Sequence, residues 1–343
     1  MHFLCTATVL ALLAAAPLYA QVPASAGLLN RTGIIYSKST DKIYVVNESS
    51  DTVSVILRHG PVKEVPVGPG PESLAVNDAT GKVYVSNAGD GSISVLDGVT
   101  DKVVATVRLP GRSYGVAVDP QKNLVYVPGA SSVIDGETNA VRPNKLGATD
   151  AILVDTDRRQ IYLMGYEDNA INVFNLDTHS SRRLAAGGFH QWGFGRLGDT
   201  IFVTHAQDAS MSAVNVETGA LHEIPTGAMP CALAIDAGAG EVYVANYRDG
   251  SVTIVHLQDQ SLNVTVTVGG RPQAIAVDPE KHLVYVADTR RRTVTVLDVR
   301  SRRVVDTITT EEPPYALLVD TPTHTMYAAT LGPHGYVHLQ PKD

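Results

Sequence analysis

Apolar and polar positions alternate in short blocks along this chain, and one block arrangement recurs from end to end. Residues 71–97, PESLAVNDATGKVYVSNAGDGSISVLD, give the clearest instance. Leu74-Ala75-Val76 is an apolar run, Asn77 to Gly81 a polar turn, and Val83-Tyr84-Val85 a second run. Asp90-Gly91 then separates it from Ile93-Ser94-Val95-Leu96. Val, Ile and Tyr suit a pleated, half-buried surface. Asp-Gly between two such runs signals a hairpin, because both central residues of a type I′ turn need positive φ. The pattern predicts three antiparallel strands, and Val103 to Val107 supplies a fourth.

The copies are counted on the aromatic residue of the second strand: Tyr44, Tyr84, Tyr126, Tyr162, Phe202, Tyr243, Tyr285 and Tyr327. The steps are 40, 42, 36, 40, 41, 42 and 42 residues. A period near 40 with four short strands per unit predicts an all-β fold, a single β-propeller. One four-stranded unit cannot bury both its faces, whereas a ring of them can. Eight aromatic positions favour eight blades, with seven and one copy outside the ring as the alternative. The eighth copy ends after its third strand, and residues 21–29 precede Tyr44 at the distance of a fourth strand. The expected ring is therefore closed by the N- and C-terminal segments, with no open edge left to aggregate. The third copy is shortened, and Pro143 in its last strand requires an edge position.

Residues 1–20, MHFLCTATVLALLAAAPLYA, have the apolar core and small-residue cleavage site of a secretory signal, without a basic n-region. The expected division is a signal peptide at 1–20 and a propeller at 21–343, exported to the periplasm or secreted. No membrane span is expected after signal removal, and a monomer is expected. Only Cys231 remains after cleavage, so no internal disulfide can form. No CxxCH occurs, so no covalent haem is expected, and the sequence names no other cofactor. The net charge of -8 disfavours nucleic acid as a partner.

Tyr84-Val85-Ser86-Asn87 and Tyr243-Val244-Ala245-Asn246 resemble the YVTN-repeat propellers, the group that includes YncE-like periplasmic proteins. The flanking Gly269-Gly270-Arg271-Pro272, Ala276-Val277-Asp278-Pro279 and residues 92–97 resemble that group as well. The resemblance implies an exported propeller and no single activity. The third and fifth copies depart from it at Gly129 and His205, where Asn is usual.

No HExxH, EF-hand loop or Walker A occurs. Asp155-Thr156-Asp157 falls in a turn between strands one and two, where carboxylates serve turn geometry. The informative comparison is between copies. Twelve residues before each aromatic stand Thr32, Glu72, Tyr114, Asp150, His190, Cys231, Gln273 and Tyr315. These share no chemistry. A varied position ringed around an axis is free to be a site. The loops after strand two add His205, Tyr166, Tyr247 and Arg290 at the same mouth. Trp192, the only tryptophan, could offer a stacking face there. His205 stands where Asn47, Asn87 and Asn246 would tie a turn, and it is expected to do that work poorly. His190, His205 and Cys231 lack the spacing of a metal site, and none is assigned.

A binding scaffold for a small ligand or protein at this propeller face, without evident catalysis, is the expectation. The alternative is a propeller enzyme, lactonase-like or quinoprotein-dehydrogenase-like. It would need Tyr114, Asp150, His190, His205 and Tyr315 to converge at the channel mouth.

Overall fold

The computed structural model describes residues 33–57, 62–144, 146, 149, 151–332 and the backbone of 336–339. The expected signal at 1–20, the closing segment at 21–29 and Asp150 lie outside the described residues. The fold is an all-β single propeller. Its sheets follow chain order, so each copy is one up-and-down blade. Seven copies, rather than eight, form complete four-stranded blades; the last contributes a sheet of three described strands, Pro314–Asp320, Thr325–Thr330 and Tyr336–Leu339.

First strands of successive blades contact one another and line the axis. Second strands are buried along nearly their whole length, as in Lys82–Asn87 and Leu283–Asp288. Fourth strands such as Ser181–Ala185 and Leu221–Pro225 bury a single residue and form the rim. Val141–Pro143 is the outermost strand of the third blade, the edge that Pro143 demands.

Blade-to-blade faces are where the apolar residues go. Tyr44, Val55 and Leu74 join the first and second blades. Tyr243, Ile254 and Val284 join the sixth and seventh. Ile34, Ile43, Ala316 and Tyr327 join the three-stranded sheet to the first blade, and Tyr285, Val296 and Leu317 join it to the seventh. The column tyrosines are thus the largest side chains buried between blades. The ring closes at Tyr315 as well, whose hydroxyl donates to the Val46 carbonyl at 3.1 Å.

The loops have a polar logic. Asp97 Oδ1 accepts from the N–H groups of Val99 and Thr100, and Asn215 Oδ1 from Glu217 and Thr218. Asp and Asn end the strands because their side chains replace missing ladder partners. At Asp90-Gly91 the hairpin forms, but not as a type I′ turn. Asn87 pairs with Ser92 across a four-residue loop in which Gly91 alone has positive φ, +67°.

Charged joints sit at the face opposite the loops that enter strand one. Arg159 Nη1 reaches Asp119 of the preceding blade at 2.8 Å. Lys42 Nζ reaches Asp101 of the next blade at 2.7 Å. Asp155 takes Arg158 and, from the fifth blade, Arg196, both at 3.2 Å. Arg158 also pairs with Asp199 and Glu217 of the fifth blade. That face clasps neighbouring blades together.

Candidate ligand-binding mouth

Each blade brings two loops to this mouth, one entering strand one and one joining strands two and three. Their frame is repeated. The Asn47 amide reaches Thr52 Oγ1 at 2.9 Å and Ser54 Oγ at 2.8 Å. The Asn246 amide reaches Ser251 Oγ at 3.0 Å and Thr253 Oγ1 at 2.9 Å. Gly68 and Gly227 lie so close over Asn87 and Asn246 that a Cβ would overlap the amides. This contact explains the glycine that precedes strand one by three residues in these copies.

His205 does part of the same work, contrary to expectation. It is fully buried, and its Nε2 meets Ser212 Oγ at 2.8 Å, the partner equivalent to Ser54. The ring reaches one hydroxyl where an amide reaches two, and buried Ser210 Oγ is left without a partner. Burial holds the His205 pKa below its ordinary value of 6.5. The unfolded chain takes up this proton near pH 6.5, whereas the fold resists it until lower pH. The stabilisation is therefore complete above pH 6.5 and is lost as pH falls below it. His205→Asn should flatten the fall in stability between about pH 7 and 5, by up to ~1.4 kcal/mol per pH unit. Urea denaturation of both proteins across that range checks this; parallel curves would exclude His205 as the source.

The column of expected site residues divides. Glu72, Cys231 and Tyr315 each sit in a register irregularity at the start of strand one. In the fifth blade the irregularity spans Gln191 to Phe194, so the equivalent residue is Trp192, not His190. The hairpin there joins Leu197 to Thr200, two residues shorter than the Asn77 to Lys82 hairpin, which displaces an alignment made on Phe202. Bulging turns these side chains inward. Glu72 is buried. Cys231 lies in the core, its Sγ 3.2 Å from the Pro272 carbonyl, and burial pushes its thiol up to about 12. Tyr315 is committed to Val46. Gln273 is half-buried, with its N–H donating to Ala287.

The residue two places earlier meets solvent instead. It is Arg112, His190, Met229 and Arg271 in the third, fifth, sixth and seventh blades. Three of these pair with a tyrosine. Arg112 Nη1 donates to Tyr114 Oη at 2.8 Å. His190 stacks on Tyr166 with centroids 4.5 Å apart and planes at 29°. Arg271 lies over Tyr247, 5.4 Å from its centroid. The sequence comparison missed Arg112, Met229 and Arg271; the residue before the proline of Gly-x-x-Pro would have shown Met229 and Arg271.

The densest group is in the fifth blade. Tyr166 Oη lies 3.0 Å and Gln207 Nε2 2.8 Å from His190 Nδ1. Trp192 lies 6.1 Å from Tyr166. His190 has φ of +57°, where the second blade has Gly70 at +60°. An L-residue pays about 1 kcal/mol for that conformation. Gln191, between the two rings in sequence, is 1% exposed with neither amide atom hydrogen-bonded. Arg290 is exposed at the seventh blade, its N–H bound by Asp288 Oδ1. The mouth thus gathers Tyr166, His190 and Trp192. It leaves Tyr114 at the third blade, and keeps His205 and Cys231 beneath the surface. Among the described residues no group of three His, Cys, Asp or Glu side chains is arranged to hold a metal ion.

No protein-family model and no curated protein matches this chain. Solved structures do match in fold. One is dihydro-heme d1 dehydrogenase NirN in complex with DHE, at TM-score 0.67 and 15% identity, covering 83% of this chain and 66% of that one. This chain therefore spans just under two thirds of NirN. BamB from Moraxella catarrhalis matches at TM-score 0.66 and 14% identity, covering 90% of this chain and 96% of BamB. Kuenenia stuttgartiensis hydrazine synthase matches at TM-score 0.57 and 17% identity, covering 96% and 99%. These neighbours differ in role, and at such identities they share the propeller alone.

Proposed function

We propose that this chain is an exported β-propeller that binds a small ligand at the mouth formed by the loops into strand one and after strand two. One observation carries it: the Tyr166–His190–Trp192 group, with His190 held in a left-handed conformation where another copy uses glycine. A residue other than glycine held at positive φ is a pointer to function, and Met229 holds the same conformation at the equivalent position of the sixth blade. The other half of the scaffold supports the same face, since the charged joints between blades lie opposite it. Enzymatic use of His190 with His205 is disfavoured, because His205 is sealed against Ser212. The Tyr-Val-x-Asn spellings at 84–87 and 243–246 support membership of the YVTN-repeat group, and residues 1–20 support export.

Trp192 is the only tryptophan, so intrinsic fluorescence reports on this mouth directly. The protein from the cell-envelope fraction, beginning at Gln21, is titrated with organic acids, sugars and quinones. A saturable change is expected, and His190→Ala should weaken it roughly tenfold by removing the ring that stacks on Tyr166. Saturable binding by calorimetry with Trp192 silent and His190→Ala unaffected would place the site elsewhere. Recovery of the chain in the cytoplasm with residues 1–20 intact would refute export.

A further inference from the structure

Next to the aromatic group, between the sixth and seventh blades, the mouth contains a pocket of about 230 Å³ lined by Met229, Tyr247, Arg248 and Arg271. Trp192 and Tyr247 lie against the same core, so pocket and aromatic group occupy one sector. The charges around the pocket are unbalanced. Neither Arg248 nor Arg271 has a carboxylate partner among the described residues. The neighbouring carboxylates are already engaged. Asp249 Oδ2 accepts the Ala228 N–H at 2.5 Å, and Asp288 Oδ2 the Arg271 N–H at 2.6 Å. Asp288 Oδ1 takes the N–H groups of Arg290 and Arg291, both at 2.9 Å. Across the ring the contrast is plain: Arg158, Arg159 and Arg196 each meet a fully buried aspartate.

Arg271 is also held in place. Its guanidinium lies over the Tyr247 ring at 5.4 Å, and Nη1 comes within 3.4 Å of the phenol oxygen. Stacking and a hydrogen bond reduce the freedom a guanidinium loses when it captures an oxyanion. Met229 and the Tyr247 ring give the same pocket an apolar wall. Two forked donors beside an apolar wall suit a carboxylate joined to a flat or aliphatic body.

We infer that this pocket receives the carboxylate end of a small organic acid, with Arg248 and Arg271 as its anion clamp and Met229 and Tyr247 against its apolar body. The inference rests on the mouth being the binding face and adds the ligand's chemical class.

Calorimetry of the mature chain with benzoate, benzamide and inorganic phosphate tests it. Benzoate should bind, with benzamide and phosphate at least roughly tenfold weaker, since one lacks the charge and the other the apolar body. Arg271→Met and Arg248→Met should each weaken benzoate roughly tenfold. Arg271→Lys, which keeps charge without the fork, should fall between. Arg303→Met, on an exposed outer strand, should leave benzoate binding unchanged. Melting curves confirm that each variant is folded. Equal affinity for benzoate and benzamide, phosphate as tight as benzoate, no saturation by about 50 mM, or a folded Arg248→Met/Arg271→Met protein with unchanged affinity would each overturn the assignment. If the arginine variants bind normally while His190→Ala does not, mouth binding survives and this pocket falls. If neither affects binding, both fail.

Discussion

Asp155→Ala is expected to destabilise the folded chain by about 3 kcal/mol, the cost of removing one side of a buried ionic joint. The Asp155 carboxylate is fully buried, and its Oδ2 lies 3.2 Å from both Arg158 Nη1 and Arg196 Nη1. Tyr162 O–H donates to the same oxygen at 3.3 Å, and the Arg158 N–H to Oδ1 at 3.2 Å. Alanine would leave two guanidinium groups and a phenol facing a site that water enters poorly. Two blades lose their shared anchor at once, because Arg196 belongs to the fifth and Arg158 also holds Asp199 and Glu217 there. Asp155→Asn should cost less, since the turn and phenol bonds survive. Urea denaturation measures both. A loss under about 1 kcal/mol for alanine would match an exposed ion pair and would remove this cluster as a joint between blades.

Tyr243→Ala should cost about 3–5 kcal/mol, the usual range for emptying a buried aromatic site. Tyr243 is fully buried between the sixth and seventh blades, among Ala234, Ile254 and Val284. Its hydroxyl donates to Glu241 Oε2 at 2.5 Å. Burial, reinforced by that carboxylate, raises the phenol pKa far above its ordinary value, so the ring stays neutral. Tyr243→Phe keeps the packing and should lose only about 1 kcal/mol. The ratio of the two effects is the measurement that matters. Comparable losses would mean that the hydroxyl, and not the ring, holds the column together.

Much of the fold was legible because strand periodicity and turn chemistry are local. The Tyr column, the Asp and Asn strand ends and the edge position of Val141–Pro143 all follow from neighbours within about ten residues. The number of complete blades was not local: seven copies fold as four strands, and the last shows three among the described residues. His205 illustrates a second limit. Its departure from the Asn pattern was visible, but only the folded blade shows Nε2 reaching Ser212 as an amide would.

The repeat, its blade-forming strands and an unusual fifth copy were determined by the sequence itself, because side-chain alternation and turn residues act over short spans. Which face of each strand-one residue meets solvent was decided only in three dimensions. A register irregularity turns Cys231 and Tyr315 away from the mouth and leaves the residue before the proline partly exposed. One short hairpin, Leu197 to Thr200, shifts the fifth blade by two residues and puts Trp192 in the place assigned to His190. Charge behaves the same way. The arginines are equal in the sequence, and only packing distinguishes Arg158, neutralised by Asp155 between blades, from Arg271, stacked on Tyr247 with no carboxylate partner among the described residues.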